Sequence, residues 1–257
     1  MHKCIFFSLI HYFLYFSIHF RSNFPNDLKK LYLIGPNGAG KTTVFNLLTK
    51  VYEPTSGAVL IDGKDLHGMS IVQASKLGIA RTFQNIRLFD KMTVEENVRI
   101  GLHNQIRYDM ISGILRLPRY WKQEKRQHEK AMELLDIFGM QDLADEVSGS
   151  LPYGVQRRLE IVRALATKPK LLLLDEPAAG MNPHETEELM ENIARIRNQF
   201  GIAILLIEHD MSLVMGVCEG ICVLNIGRVI AKGTADEIQA NPVVIEAYLG
   251  KKKEAAK

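Results

Sequence analysis

The sequence predicts an α/β fold with a mostly parallel sheet and an inserted helical subdomain. From Leu31 onward, short apolar runs alternate with amphipathic segments, which is the pattern of strands joined by crossover helices. Residues 171–174 and 202–207 are continuously apolar, as expected for strands that are buried on both faces. Strand signals are missing from about residue 93 to residue 148, where the pattern indicates several helices instead.

The remaining elements are apolar runs or amphipathic segments bounded by turn residues. Asp62 and Gly63 form a dipeptide that favours hairpin turns, and Gly227 separates the last two apolar runs. The expected elements are a strand at 31–34, a helix at 42–50, a strand at 59–61 and a terminal hairpin formed by 221–225 and 229–232.

Composition and charge exclude several classes of protein. The chain has 257 residues, of which 47% are hydrophobic and 24% charged, which is typical of one or two globular domains and not of a collagen, coiled coil or disordered chain. The net charge of +3 is too small to indicate a nucleic-acid partner. Cys4, Cys218 and Cys222 show no disulfide framework or metal-ligand spacing, so we expect a reduced, cytosolic compartment.

Residues 1–30 differ from the rest of the chain. Residues 5–20 form a dense apolar and aromatic run between Lys3 and Arg21. The run is shorter than the about 20 apolar residues of a membrane-spanning helix, and it lacks the cleavage site of a signal peptide. We treat residues 1–30 as an atypical apolar segment that packs on the core, contacts a membrane or is an aberrant start of the gene product.

A glycine-rich loop predicts a phosphate-binding site. Residues 35–43 read GPNGAGKTT and match the pattern GxxxxGK[ST] between an apolar strand and a helix. Glycines let backbone N–H groups approach the β and γ phosphates of a nucleotide, Lys41 adds a cation, and the Thr42 hydroxyl suits a Mg²⁺ ion that keeps most of its water. The residues expected to bind ATP here are Gly35, Pro36, Asn37, Gly38, Ala39, Gly40, Lys41, Thr42 and Thr43.

Two acidic residues, Asp175 and Glu176, end the strand predicted at residues 171–174. Ligands of open parallel sheets bind at the carboxyl ends of the strands, so both carboxylates are expected at the binding edge. Asp175 is expected to hold Mg²⁺ through water, and Glu176 to polarise the water that attacks the γ phosphate in line. Taken without the phosphate loop, the pair is equally consistent with solvated acids at a strand end.

Two further polar residues are expected near the same edge of the sheet. His209 follows the apolar run 202–207 and would reach the γ phosphate if this strand neighbours the acid-bearing strand. Gln84 follows another apolar segment and offers an amide to the metal or to the attacking water. Neither residue indicates a function without the other motifs.

In this order, these motifs resemble those of the ATP-binding subunits of ABC transporters. The resemblance covers about residues 31–250, leaves a basic tail at 251–257, and implies a RecA-like P-loop NTPase core with a helical subdomain at about residues 93–160. Within the superfamily, the chain is similar to the high-affinity branched-chain amino acid importers over residues 81–89, 153–161, 175–183, 207–215 and 241–250.

The resemblance implies catalysis by Glu176, His209, Gln84 and Lys41, and Mg²⁺ binding by Thr42, Gln84 and Asp175. It implies two ATP-binding subunits, identical or different, arranged head to tail so that Tyr153 and Gly154 of one face the ATP held by the other. It further implies two transmembrane permease subunits, an indirect solute-binding protein and a peripheral location at the cytoplasmic face of the inner or plasma membrane.

The chain departs from the family pattern in two places. The signature LSGGQ stands here as LPYGV at residues 151–155, so its serine and glutamine are missing. Pro152 is tolerable near a helix start, and we expect the amides around Gly154 and the helix dipole to suffice. Residues 1–30 lack glycine, and Tyr12 or Tyr15 lies at about the distance expected for the aromatic residue that stacks on adenine.

Two other functions remain open, and two more are disfavoured. An exporter ATPase, such as the lipopolysaccharide type, shares the same motor. A catalytically impaired nucleotide-binding product would follow from the atypical first thirty residues. A non-transport ABC protein acting on DNA or ribosomes is disfavoured by the modest charge and the single nucleotide domain, and a GTPase by the absence of an NKxD motif from the sequence.

Overall fold

A computed structural model describes residues 30–61, 63–103, 118–208 and 220–249. Within these ranges, the strands are β1 Lys30–Ile34, β2 Leu60–Ile61, β3 Lys64–Asp65, β4 Ile79–Arg81, β5 Leu171–Asp175, β6 Ala203–Ile207, β7 Gly220–Asn225 and β8 Arg228–Gly233. The α-helices are α1 Lys41–Leu48, α2 Ile71–Lys76, α3 Val94–Leu102, α4 Pro118–Asp136, α5 Tyr153–Ala166, α6 Pro183–Phe200, α7 Ala235–Gln239 and α8 Pro242–Leu249, and two 3₁₀ turns are Gln141–Leu143 and Ser148–Ser150.

Six strands form one sheet in the order β4-β5-β6-β1-β7-β8, and β2 pairs with β3 in a separate antiparallel hairpin. All neighbours in the large sheet are parallel except β7 and β8. The predicted α/β fold with a mostly parallel sheet is therefore confirmed. Since the parallel strands end at one edge, the loops after β1, β4, β5 and β6 all emerge there.

The side chains of the sheet alternate between two apolar layers. Tyr32 of β1 and Leu172 of β5 pack on one side with α5 and α6, whereas Leu33 and Leu173 pack on the other side with Phe45 of α1. Successive residues of a strand point to opposite faces, and helices cover both faces of this sheet. This burial on both sides is the reason that the strands are continuously apolar in sequence.

The predicted run of helices between residues 93 and 148 is confirmed where the structure describes it, by α3, α4 and the first 3₁₀ turn. Helix α3 begins with a capping box between Thr93 and Glu96. It packs closely on α5 at Gly101. A Cβ atom there would lie only 2.5 Å from the Arg163 carbonyl oxygen, so the absence of a side chain permits this approach. The boundaries of a separate subdomain at 93–160 stay a prediction.

The predicted strands form with ends shifted by at most one residue, and the helix predicted at 42–50 spans Lys41–Leu48. The strand expected at 59–61 is shorter than predicted and pairs with a second short strand, β3. The expectations for residues 1–29, His209 and the basic tail concern parts outside the described residues. No helix in the described ranges has the length and the apolar character needed to cross a bilayer.

Candidate functional site

The glycine-rich loop connects the end of β1 to the start of α1, where Gly40 is the N-cap residue with a φ of 103°. A Cβ atom at Gly35 would lie 2.1 Å from the carbonyl oxygen of Leu224 in β7, so only glycine fits this close approach. At Gly38, with a φ of 77°, a Cβ atom would meet nothing within 4 Å. The loop is thus packed against the sheet at its start and open in its middle.

The side chain of Lys41 folds back over the same loop. Its Nζ donates hydrogen bonds to the carbonyl oxygens of Gly35 at 2.6 Å and Pro36 at 3.3 Å. Burial lowers the pKa of Lys41, while the carboxylates of Glu176 and Asp175 act in the opposite direction and raise it. The structure therefore brings the predicted phosphate-binding cation close to both predicted carboxylates.

The turn between β7 and β8 supports the loop from the other side. The backbone N–H of Gly227 donates to the carbonyl oxygen of Ala39 at 2.8 Å. A Cβ atom at Gly40 would lie 3.6 Å from the Cα of Gly227, so the two backbones are in contact. The sheet and this turn therefore contact the loop from two sides.

Asp175 is the last residue of β5 and is buried. Its Oδ2 accepts a hydrogen bond from Nη2 of Arg81 at 2.9 Å, and Nη1 of Arg81 donates to Oδ1 of Asn46 in α1 at 2.6 Å. Arg81 thereby joins three elements around the carboxylate. Sequence reasoning did not single out this residue, because its pairing depends on β4 lying beside β5.

Glu176 follows β5 in a strained backbone conformation. Its φ is 47°, in the left-handed region that non-glycine residues seldom adopt, and such strain is concentrated at functional sites. Its backbone N–H donates to the carbonyl oxygen of Ile207 at 3.0 Å. Its Oε2 accepts a hydrogen bond from Nε2 of Gln84 at 3.1 Å, so two predicted site residues that are 92 positions apart meet here.

The segment LPYGV at residues 151–155, which stands where the family signature is expected, lies at the start of α5. Pro152 is the N-cap residue, and the helix begins at Tyr153, so the ring of Pro152 interrupts no hydrogen bond inside the helix. A Cβ atom at Gly154 would lie 3.0 Å from Oε1 of Glu185, and one at Gly180 would lie 3.2 Å from the ring of Tyr153. Tyr153 is itself half-exposed, and its ring contacts the loop that follows Glu176.

Strand β6, which precedes His209, lies directly beside the acid-bearing strand β5. Asp175 pairs with Ile207 in the parallel register. The condition that sequence reasoning set for His209 is therefore met by the strand order. The side chain of His209 lies outside the described residues, so its contact with a phosphate stays a prediction.

The oxygen donors of the site suit Mg²⁺ and a nucleotide together. The described residues contain no group of three or more His, Cys, Asp and Glu side chains that could hold a metal by themselves. Mg²⁺ bound to nucleotides needs only one or two protein oxygens, because phosphates and water supply the rest. Thr42 is exposed at the start of α1, and Asp175 ends β5, so these two residues fit that requirement.

Comparisons with known proteins agree with this geometry. The family "ABC transporter" matches residues 26–179, and the family "Branched-chain amino acid ATP-binding cassette transporter" matches residues 228–254. The high-affinity branched-chain amino acid transport ATP-binding protein LivG of Escherichia coli K12 is 48% identical over 88% of each chain. BraF of Pseudomonas aeruginosa, with the same description, is 45% identical over 85% of this chain and 86% of its own.

Other relatives are more distant. The lipopolysaccharide export system ATP-binding protein LptB of Haemophilus influenzae is 34% identical over 85% of this chain and 84% of its own. The crystal structure of a nucleotide-free ATP-binding cassette from an ABC transporter superposes with a TM-score of 0.73 at 31% identity, over 86% of this chain and 88% of that chain. A dimeric cassette in a post-hydrolysis state, bound to ADP and Pi, superposes with a TM-score of 0.67 at 25% identity, over 80% and 84% of the two chains.

Proposed function

The chain belongs to the ABC transporter family of ATPases, and on that premise we propose that it is the ATP-hydrolysing subunit of a branched-chain amino acid importer. The observation that carries the catalytic part is the hydrogen bond between Gln84 and Glu176 at the sheet edge where Lys41 lies. The descriptions of LivG and BraF support the solute, as does the family match over residues 228–254.

The phosphate loop binds ATP in this proposal. Backbone amides around Gly38 and at the start of α1 donate to the phosphate oxygens, and Lys41 neutralises part of their charge. Thr42 and Asp175 would hold Mg²⁺, with Gln84 as a further oxygen donor, and the ion would neutralise charge that develops on the phosphates. The turn at Gly227 and the sheet contact the loop and support its conformation.

Hydrolysis requires a water molecule that attacks the γ phosphorus in line with the bond to the leaving ADP. Glu176 accepts a hydrogen bond from this water and takes its proton as the water oxygen bonds to phosphorus and the bond to the leaving ADP breaks. Gln84 orients Glu176 through the hydrogen bond between their side chains. We assign His209 a hydrogen bond to the γ phosphate, because it follows β6, the strand beside β5.

A second ATP-binding subunit, identical or different, completes the site. The first N–H groups of α5, around Tyr153 and Gly154, have no partner inside the helix and can donate to a phosphate of the ATP bound by the other subunit. The dimeric cassette bound to ADP and Pi supports this arrangement. Pro152 leaves these donors available, because it stands one residue before the helix.

We propose that a groove on the side of the sheet receives one permease subunit, so that a pair of ATP-binding subunits engages two permeases. It has a volume of about 500 Å³ and lies between α2, β4, α3 and α5. Ile71, Phe89 and Ile100 line it and are exposed by 54%, 48% and 37%. Apolar side chains exposed in a concave surface are typical of a protein interface. Docking here, near residues 84–100, would place the chain peripherally at the cytoplasmic face of the membrane, with the solute-binding protein acting indirectly.

The Glu176→Gln variant tests the catalytic part of the proposal. We expect a loss of ATPase turnover of about 10²- to 10⁴-fold, the usual contribution of a general base, with ATP binding retained. Incubation with ATP and Mg²⁺ should then trap a dimer that is detectable by light scattering. Glu187→Gln, at an exposed position of α6, is the matched control and should behave like the unchanged chain. Normal turnover by the Glu176→Gln protein would refute the role of this carboxylate.

The solute is tested with the complete transporter in vesicles. The chain is co-expressed and co-purified with two permeases and a solute-binding protein, and ATPase turnover is measured with and without leucine. Stimulation by leucine and its binding protein supports import of branched-chain amino acids. Co-purification with lipopolysaccharide-export membrane subunits would instead favour the exporter, to which the 34% identity with LptB gives weaker support.

A further inference from the structure

Arg157, on the first turns of α5, is the largest fully buried side chain of the described residues. A buried guanidinium is costly unless it is paired and hydrogen-bonded, so its partners identify what it does. Arg157 belongs neither to the phosphate loop nor to the acidic pair Asp175 and Glu176. Its position is one turn after Tyr153, on the face of α5 that is directed into the protein.

The partners of Arg157 are the backbone around Gln84 and one carboxylate. Its Nη1 donates to the carbonyl oxygen of Phe83 at 2.5 Å, and its Nη2 donates to the carbonyl oxygen of Gln84 at 2.6 Å. Nη1 also donates to Oε2 of Glu160 at 2.9 Å, and the other oxygen of Glu160 accepts from the Phe83 N–H at 3.4 Å. Arg157 and Glu160 together therefore hold both backbone polar groups of Phe83 and the carbonyl of Gln84.

Gln84 is thus held at two ends. Its backbone carbonyl is bound by Arg157, and its side-chain amide donates to Glu176. The same guanidinium donates to the hydroxyl of Tyr153 at 3.4 Å, and the ring of Tyr153 lies against Gly180 in the loop after Glu176. These contacts link Gln84, Arg157 and Tyr153 in sequence. The first of them contacts Glu176, and the last contacts the loop that follows Glu176.

We infer that Arg157 is a positioning residue, which fixes the backbone of Gln84 and thereby sets the Gln84 amide against Glu176. The inference rests on the proposed function for its catalytic meaning. The planar fork of arginine suits two neighbouring carbonyl groups, whereas the point charge of lysine does not reproduce it. Contacts made by Tyr153 at the start of α5 reach Gln84 through this one side chain.

Two variants separate positioning from folding. Removal of Arg157 alone leaves the Glu160 charge buried without its partner, which is strongly destabilising, so Arg157→Met is combined with Glu160→Gln. Arg157→Lys keeps the charge and loses the fork. The matched control is Arg158→Gln, because Arg158 is the next residue and pairs with Glu188 near the surface at 3.3 Å.

The first measurement is amide hydrogen exchange in residues 82–89, followed by mass spectrometry on the nucleotide-free protein. We expect the double variant to exchange about tenfold faster there, because the carbonyl groups of Phe83 and Gln84 lose the guanidinium that anchors the segment. The Arg158→Gln control should exchange like the unchanged chain. Equal protection in the double variant and the unchanged chain would overturn the inference, whether or not the protein hydrolyses ATP.

The second measurement is ATPase turnover in two backgrounds. We expect the double variant to lower kcat by about 10- to 100-fold with KM for ATP changed less than about threefold, since a misplaced catalytic group affects the chemical step. In a Gln84→Ala background the same change should cost less than about twofold, because the group that Arg157 positions is already gone. An equal loss in both backgrounds would show a structural role only and would overturn the inference.

Failure of the proposed function gives a different result. If the unchanged chain neither binds nor hydrolyses ATP, the proposed function is wrong, while the exchange measurement still decides whether Arg157 holds the Gln84 segment. If the unchanged chain is an active ATPase and Arg157→Lys turns over as fast as it does, the guanidinium fork is not needed and the inference is wrong.

Discussion

Replacing Gly35 by alanine would test how firmly the phosphate loop is fixed by the sheet. The new Cβ would lie 2.1 Å from the Leu224 carbonyl oxygen, whereas carbon–oxygen contacts are normally at about 3.3 Å or more. Relief of the clash therefore needs a separation of about 1 Å between the loop and β7. Both atoms belong to the backbone, so no side-chain rotation can supply it.

The cost of Gly35→Ala follows from two contributions. Overpacking in a close-packed region costs about 1–3 kcal/mol, and an L residue at positive φ costs about 1 kcal/mol more. The sum of about 2–4 kcal/mol is a large part of the roughly 5–15 kcal/mol that stabilises a typical protein. For a urea dependence of about 3 kcal/mol per molar, the unfolding midpoint should fall by about 1 M.

Gly38→Ala is the matched control, since it also places alanine at positive φ but in open space. We expect it to cost only the backbone contribution of about 1 kcal/mol. Its methyl group would stand in the loop that is proposed to bind the phosphates, so ATP affinity should fall while stability is largely kept. The two glycines should therefore separate: Gly35→Ala loses mainly stability, and Gly38→Ala mainly ATP binding.

The assays are urea unfolding followed by circular dichroism without nucleotide, and equilibrium binding of a fluorescent ATP analogue with Mg²⁺. An unchanged unfolding midpoint for Gly35→Ala would refute the argument from the close approach to β7. So would a larger loss of stability in Gly38→Ala than in Gly35→Ala.

Three further substitutions have defined outcomes. Lys41→Ala should weaken ATP binding by at least about 100-fold in the same binding assay, because a charge-assisted contact to phosphate is lost. An affinity within about threefold of that of the unchanged chain would contradict this role. Pro152→Ser should change ATPase turnover by less than about tenfold, since the backbone donors at the start of α5 are unaltered. A rise of orders of magnitude would show that the natural signature is defective. Burial raises the pKa of the Cys222 thiol to about 11, so the folded chain keeps a proton that the unfolded chain loses near pH 9. The free energy of unfolding should therefore fall by about 2 kcal/mol between pH 9 and 11 and fall less in Cys222→Val. Urea titrations at several pH values would measure this, and equal pH slopes for the two proteins would contradict it.

The phosphate loop could be identified from the sequence because its function depends on contiguous residues. Glycines at fixed spacing, a lysine and a threonine lie between a strand and a helix, and local backbone geometry is enough to bring them together. The same is true of the sheet, since burial on both faces makes each strand continuously apolar. The carboxylates after β5 were predicted for the same reason, as residues that end a buried strand.

The tertiary structure decided which residues from different strands meet. The pairs Arg81 with Asp175 and Gln84 with Glu176 form because β4 lies beside β5, and strand order depends on long-range packing that a local pattern does not contain. The only sequence signal for Arg157 is a charged residue on the apolar face of α5. A sequence pattern does not tell whether such a charge reaches solvent. The fold buries it and places two backbone carbonyl groups within hydrogen-bonding distance of the guanidinium. These hydrogen bonds are the physical reason that a cation is stable there.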